Sequence, residues 1–337
     1  MRVLIVTPLI PPEPGGPSYY SVALKEALER AGQEVSLIAF REVRRYPSGI
    51  RHLIFLYKVL LKARTVDTLI ILDTVSVALP AVLAGWLLNR RTIIRTGGDF
   101  VWEHYIERTK EKILLSEFYK GKRKLSFKER LLVWLQKRII FRFVDTLVFS
   151  TEWQRNIWMK HYALNAKHTA VIENSYPKKV LVAEGGDTFL CAWRSTGFKN
   201  IDTLEAAYER AQKECHGIEL EVLRNIPREE LHERMRTARA LVVPSLSEVS
   251  PNMAMEALAM GLPVLLTKDC GIKERLGGAV TWIDPLSPDD IAKHLCACLD
   301  SEVYQQARAR TVVHTYVHTY DDIAREFIEV CKATVCI

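Results

Sequence analysis

The sequence predicts an α/β protein made of two parallel-sheet halves. Three observations carry this. Short apolar runs that read as buried strands alternate with helical patterns along most of the chain. The alternation starts afresh near residue 188, after a polar stretch with a proline. At 337 residues the chain is also long for a single hydrophobic core. Repeated β-α-β connections imply parallel strands, with ligands expected at the strands' carboxyl ends.

The first half opens on a strand, Val3 to Val6, and a loop rich in proline and glycine, residues 8–17. A helix from Ser18 to Ala31 is closed by Gly32, and a strand runs from Glu34 to Phe40. The pattern continues with a helix over 50–64, a strand from Thr68 to Leu72, a helix over 75–88 and a strand from Thr92 to Arg95. A long helical region is expected over 108–143, then a strand from Thr146 to Ser150 and a helix over 151–161. Ser175 to Lys179 reads as a linker. The second half places strands at Thr188–Ala192, Glu219–Leu223, Ala240–Val243 and Pro263–Thr267. Helices are expected at Asn200–Cys215, 227–237 and 288–300, and one after residue 250. The expected domains are 1–175 and 176–315, with a helix in 316–337 packing back on the first.

Composition excludes several classes. No apolar run reaches the roughly 18 residues of a membrane span. The longest, Val75 to Leu88, reads as a core helix. The opening strand has no basic leader before it and is not read as a signal peptide. All seven cysteines lie after residue 190 without a CxxC pair, so buried, reduced thiols in a cytoplasmic protein are expected. Residues 1–175 hold 28 Lys+Arg against 16 Asp+Glu, a net of +12, and the remainder nets −5. The first half therefore has a distinctly basic surface.

Residues 244–264 are the most informative stretch: Pro-Ser-Leu-Ser-Glu-Val-Ser-Pro-Asn-Met-Ala-Met-Glu-Ala-Leu-Ala-Met-Gly-Leu-Pro-Val. Glu248 follows a buried-strand pattern, and Glu256 lies inside a helical one that stops at Gly261. Ser250 suits the N-cap and Pro251 the first helical position. The backbone N–H groups of Asn252 and Met253 then lie at a positive helix end, which suits an anion. One carboxylate for sugar hydroxyls, one for a ribose and a diphosphate between them would fit a nucleotide-sugar. The plainer reading is a capped helix with two solvated glutamates. This window resembles the E-x7-E motif of the retaining glycosyltransferase family 4, which has the GT-B fold. The resemblance spans roughly residues 1–315 and implies two Rossmann-like domains facing each other across a cleft.

Further pieces fit the resemblance. Gly15-Gly16 follows the first strand, where the family places a Gly-Gly near the donor diphosphate; the plain alternative is a turn. The stretch from Cys191 to Asn200 resembles the family's Arg-x4-Lys element, with Arg194 and Lys199. Two fixed cations can stabilise a departing nucleoside diphosphate in place of a metal. Trp193 stands where the family has glycine. Gly98-Asp99-Phe100 and Trp102-Glu103 resemble a variant acceptor-side element. They make Asp99 the candidate for orienting or deprotonating the acceptor hydroxyl, with His104 second. A helix N-cap is the structural alternative for Asp99. The family's usual second strand and glycine-rich loop are shortened around Ile226–Leu231.

Residues 119–142 contain nine Lys/Arg and one Glu among apolar residues, which suits a basic amphipathic helix. Residues 50–64 show a similar pattern. An anionic membrane surface is one reading, and inward-packed apolar residues with solvated cations is the other. Nucleic acid is not expected, because no binding motif accompanies the charge.

Together with these features, the family 4 resemblance implies a retaining glycosyltransferase that moves a sugar from a UDP- or GDP-linked donor to a glycan or lipid-linked acceptor. The implied site is Glu248, Arg194, Lys199 and Asp99 for chemistry, with Gly15, Gly16, Ser250, Asn252, Met253 and Glu256 on the donor. No metal or cofactor is expected. The expected location is the cytoplasm, peripheral on the inner membrane face. A nucleotide-sugar epimerase and a non-catalytic scaffold are the alternatives. Neither half carries the G-x-G-x-x-G of a dinucleotide oxidoreductase.

Overall fold

The computed structural model describes residues 1–13, 16–193 and 196–333. The chain forms two compact units. The first comprises Met1–Val101, Lys124–Asn174 and the stretch from His318; the second comprises Trp102–Arg123 and Ser175–Val317.

In chain order, the first elements are β1 (Arg2–Thr7), α1 (Gly16–Arg30), β2 (Glu34–Ala39), α2 (Ile50–Ala63), β3 (Thr68–Ile71), α3 (Ala78–Leu87) and β4 (Arg91–Thr96). Then come α4 (Phe100–Thr109), α5 (Leu115–Phe118), α6 (Phe127–Leu135), a π-helical turn (Gln136–Ile140), α7 (Phe141–Phe143), β5 (Thr146–Phe149), α8 (Glu152–Tyr162) and β6 (Thr169–Val171). The strands form one parallel sheet in the order β2-β1-β3-β4-β5-β6. β3 and β5 are buried along their whole length, as strands covered on both faces must be.

The second unit holds β7 (Thr188–Trp193), α9 (Ile201–Glu214), β8 (Glu219–Arg224), α10 (Arg228–Thr237), β9 (Ala240–Val243) and α11 (Asn252–Met260). It continues with β10 (Val264–Thr267), α12 (Lys273–Leu276), β11 (Thr281–Ile283), α13 (Pro288–Ala297) and α14 (Ser301–Val313). Its parallel sheet runs β11-β10-β9-β7-β8. The strand order reverses between β7 and β9. That makes the carboxyl ends of these two strands the topological switch point, where open α/β sheets bind ligands.

The last helix, α15 (Tyr320–Lys332), packs on α1. Ile323, Ala324, Phe327 and Cys331 share a core with Leu24 and Leu28. A capping box between Thr319 and Asp322 starts the helix.

Four expectations are corrected. The helical region 108–143 is not continuous. α4 ends where Lys110 adopts φ 58°, the short α5 follows at Leu115–Phe118, and α6 begins only after Ser126, whose capping box with Glu129 starts it. The 75–88 helix starts late because the Asp73 carboxylate accepts the N–H groups of Val75, Ser76 and Val77, wrapping that segment into a turn. Ser250 is not the N-cap of α11; Pro251 holds that position with an extended backbone. The cysteines are not all free, because α9 packs on α13 and brings Cys215 and Cys296 into a disulfide across 81 residues.

Candidate functional site

The switch point of the second sheet gathers the candidates of that unit. After β9 the chain turns through Pro244 to Ser250 and enters α11. The loop is fixed along its length. Leu246 N–H donates to Phe198 O (2.8 Å), and Glu248 N–H donates to Asp269 O (3.0 Å). Gly271 N–H returns a bond to Glu248 O (2.8 Å), so Glu248 pairs as a short parallel bridge with the loop after β10. Ser247 Oγ reaches Asp269, and Leu115 N–H donates to Ser247 Oγ.

Glu248 is therefore held by its backbone, and its side chain is 12% exposed. Oε1 accepts from Lys199 Nζ (2.6 Å) and Ser245 Oγ (2.6 Å). Lys199 ends a tight turn, Gly197–Lys199, after β7. Asn200 locks that turn. It sits at φ 60°, is buried, and donates from Nδ2 to Pro244 O (3.0 Å) and Pro285 O (2.7 Å). Thr203 Oγ1 donates to Asn200 Oδ1 (2.6 Å). The two loops that flank the switch point are thus stitched together by side chains. Trp193, Lys199, Pro244, Ser245 and Met253 line one recess there.

Glu256 lies one turn into α11, with a side chain 16% exposed. Both of its oxygens are engaged. Arg228 Nη2 donates to Oε1 (2.7 Å), and His232 Nε2 lies 2.8 Å from Oε2. Arg228 and His232 are four residues apart on α10, so they share one helix face. Asn252 is exposed at the first position of α11, while Met253 is half-buried against the core. Gly261 closes the helix at φ 82°, the left-handed conformation expected of a C-terminal glycine. Cys270, beside Glu248 in the neighbouring loop, is buried, which pushes its thiol up to about 12.

The segment Trp102–Arg123 packs on this unit's β7–α9 turn. Glu107 Oε2 accepts from Gly197 N–H (2.7 Å), and Trp102 meets Phe198 with ring centroids 5.4 Å apart. The Lys110 ammonium, and then the Gly197 N–H, hold the Glu107 carboxyl below its ordinary range.

In the first unit, Asp99 precedes α4 and is buried. Its Oδ2 accepts the indole N–H of Trp158 (2.8 Å). Gln154 Nε2 donates to Gly98 O (2.7 Å), so α8 pins the whole β4–α4 loop. His104, in the Trp102–Arg123 segment of the second unit, is half-buried. Gly16 is the first residue of α1, and a Cβ there would meet nothing within 4 Å. Gly15 and Arg194 lie outside the described residues.

Three residues at the site escaped the sequence reading: Ser245, Arg228 and His232. Ser245 stands three residues before Glu248. Arg228 and His232 had an available signal, a cation and an imidazole at helical spacing in the shortened segment before β9.

Residues 158–312 match the family described as Glycosyl transferases group 1, a stretch that holds Lys199, Glu248 and Glu256. No curated protein matches the chain by sequence. Among solved structures, HepE of Anabaena in complex with UDP is similar at 14% identity, TM-score 0.66, over 98% of this chain and 100% of that one. Sucrose-phosphate synthase of Thermosynechococcus elongatus is similar at 14% identity, TM-score 0.67, over 98% of each. WaaG, a glycosyltransferase involved in lipopolysaccharide biosynthesis, is similar at 14% identity, TM-score 0.65, over 98% and 100%. The fold, two parallel-sheet units of six and five strands, resembles that of GT-B glycosyltransferases.

Proposed function

We propose that the protein transfers a sugar from a nucleoside diphosphate donor, UDP- or GDP-linked, to an acceptor hydroxyl. The observation that carries this is the arrangement of Lys199, Ser245 and Glu248 at the switch point of the second sheet, eight positions from a second clamped carboxylate.

In this reading Lys199 leaves Glu248 for the diphosphate when donor binds. Glu248 is then free to accept the sugar's hydroxyls, oriented by Ser245. Arg194 adds a second cation, and the amino end of α11, with Ser250, Asn252 and Met253, faces the phosphates. Fixed positive charge stabilises the leaving diphosphate, so no metal is needed. The family resemblance also assigns Gly15 and Gly16 to donor binding. Glu256 takes the ribose, its oxygens aimed by Arg228 and His232 while keeping lone pairs to spare.

Asp99 acts on the acceptor side by fixing the β4–α4 loop, since its carboxylate is buried against Trp158. His104 is the more accessible candidate for proton transfer. The E-x7-E resemblance supports a retaining reaction of the family 4 kind on a hexose donor. The acceptor is a glycan or lipid-linked hydroxyl, met by a cytoplasmic enzyme peripheral to the inner face of a membrane.

A thermal-shift panel of nucleotide sugars tests the reading, because a ligand that binds only the native state raises its melting temperature. One donor family should raise Tm in wild type, and raise it less in Glu256→Ala at the same ligand concentration. No shift with any UDP- or GDP-sugar would contradict the proposal.

A further inference from the structure

α2, α3 and the α6–α7 stretch lie in one layer. Each belongs to a connection that steps the same way along the first sheet: β2 to β3, β3 to β4, β4 to β5. Right-handed crossovers place such connections on the same face. α2 packs on α3, and α3 packs on the π-turn and α7.

The inward side of α2 is buried through Phe55, Val59 and Ala63. Its outward side is apolar too. Leu53, Tyr57 and Leu61, spaced by four, are 68%, 62% and 44% exposed. α6 repeats the pattern. Phe127, Leu131 and Trp134 are 72%, 44% and 52% exposed, at i, i+4 and i+7. Trp86, exposed at the end of α3, meets Phe143 at a tilt, with ring centroids 5.6 Å apart. A surface helix ordinarily turns its polar face outward. Two apolar rows in one layer, on either side of α3, are more than scattered surface hydrophobics.

Cations flank the α6 row, while Lys58 and Lys62 beside the α2 row are engaged by Glu42 and Leu37 O. Lys128, Arg130, Lys137 and Arg138 are exposed on the α6 stretch, and none forms an ion pair among the described residues. The acid of that stretch, Glu129, is buried in the capping box.

We infer that this layer docks on an anionic lipid bilayer, with the Leu53–Tyr57–Leu61 and Phe127–Leu131–Trp134 rows in the interface and the cations against the headgroups. Apolar rows flanked by Lys and Arg are the pattern of helices that lie in the headgroup–acyl boundary. No helix among the described residues is long and apolar enough to cross a membrane. A second copy fits less well, because a symmetric contact would set the same cations against each other. Nucleic acid would satisfy the cations and leave exposed leucines with nothing to pack on. The inference gives the membrane location of the proposed function a surface, and it is tested without donor or acceptor, so it stands or falls apart from sugar transfer.

The test is co-sedimentation of the full chain with phosphatidylcholine vesicles, with and without phosphatidylglycerol, at low and high salt. Wild type should bind the anionic vesicles and lose binding as salt rises. Leu53→Ser/Tyr57→Ser and Leu131→Ser/Trp134→Ser should each weaken binding about tenfold or more, even at low salt. Lys137→Glu/Arg138→Glu should abolish the preference for phosphatidylglycerol. All these side chains are exposed, so the variants should keep the wild-type circular dichroism and melting temperature. Absence of wild-type binding would overturn the inference. So would unchanged binding in both serine pairs, or a wild-type dimer that the serine pairs dissociate.

Discussion

Replacing Glu256 with alanine isolates the nucleoside half of the proposed site. The carboxylate is 16% exposed and faces Arg228 at 2.7 Å and His232 at 2.8 Å. A charged hydrogen bond to a ribose hydroxyl is worth about 1.5–3 kcal/mol. Its loss should raise the Kd of the bound nucleoside diphosphate roughly 10- to 150-fold. Arg228→Ala acts only through orientation, and Arg228 is half-exposed, so about 0.5–1 kcal/mol is expected, a two- to fivefold effect. Calorimetry with UDP and GDP, each beside its 2′,3′-dideoxy form, separates the ribose contribution from general damage. Wild type should prefer the ribose form. Glu256→Ala should lose that preference, and Arg228→Ala and His232→Ala should reduce it. Equal losses for ribose and dideoxy forms would refute ribose contact. An unchanged preference in both α10 variants would refute their orienting role.

Lys199→Ala should lower turnover by roughly 10²–10³ with native Tm, and EDTA should leave wild-type turnover intact; chelator-sensitive activity restored by added metal would contradict the metal-free account. Asn200→Ala removes donors to two carbonyls at a buried position with φ 60°, so about 2–4 kcal/mol of stability should be lost, read as a fall of several degrees in Tm. His161 is held near pKa 4, first by burial and then by Lys137. Its folded value lies below the ordinary 6.5, so the unfolded chain binds the extra proton. The stability contributed is present above pH 6.5 and is lost as pH falls towards 4. Denaturant titrations at neutral and acid pH should show a smaller acid loss for His161→Gln than for wild type.

The strands and most helices were legible because their apolar runs are short, buried and punctuated by Gly, Pro and N-capping residues. Gly261 and Gly32 mark helix ends as expected. The motif singled out Glu248 and Lys199, and in the structure Lys199 Nζ donates directly to Glu248 Oε1 (2.6 Å), beside Ser245 Oγ. What stayed hidden depends on long-range contacts. The pairing of Cys215 with Cys296 follows from α9 lying on α13, which no spacing reveals. The burial of Asp99 depends on Trp158, 59 residues away. The break after α4 turns on one left-handed residue, Lys110, which lacks the glycine that usually announces such a conformation. Local pattern also overstated the basic helix of 119–142, because four cations crowd residues 120–124 around Gly121, ahead of the Ser126 cap that sets the start of α6.

The measurement closest to the central claim is nucleoside diphosphate release from a radiolabelled donor, with the fate of the sugar followed in parallel. Sugar transfer predicts release that requires an acceptor, a glycan or lipid extract carrying the label in equal amount, and loss of both in Glu248→Ala. Interconversion of the free nucleotide sugar, or release unaffected by Glu248→Ala, would contradict it.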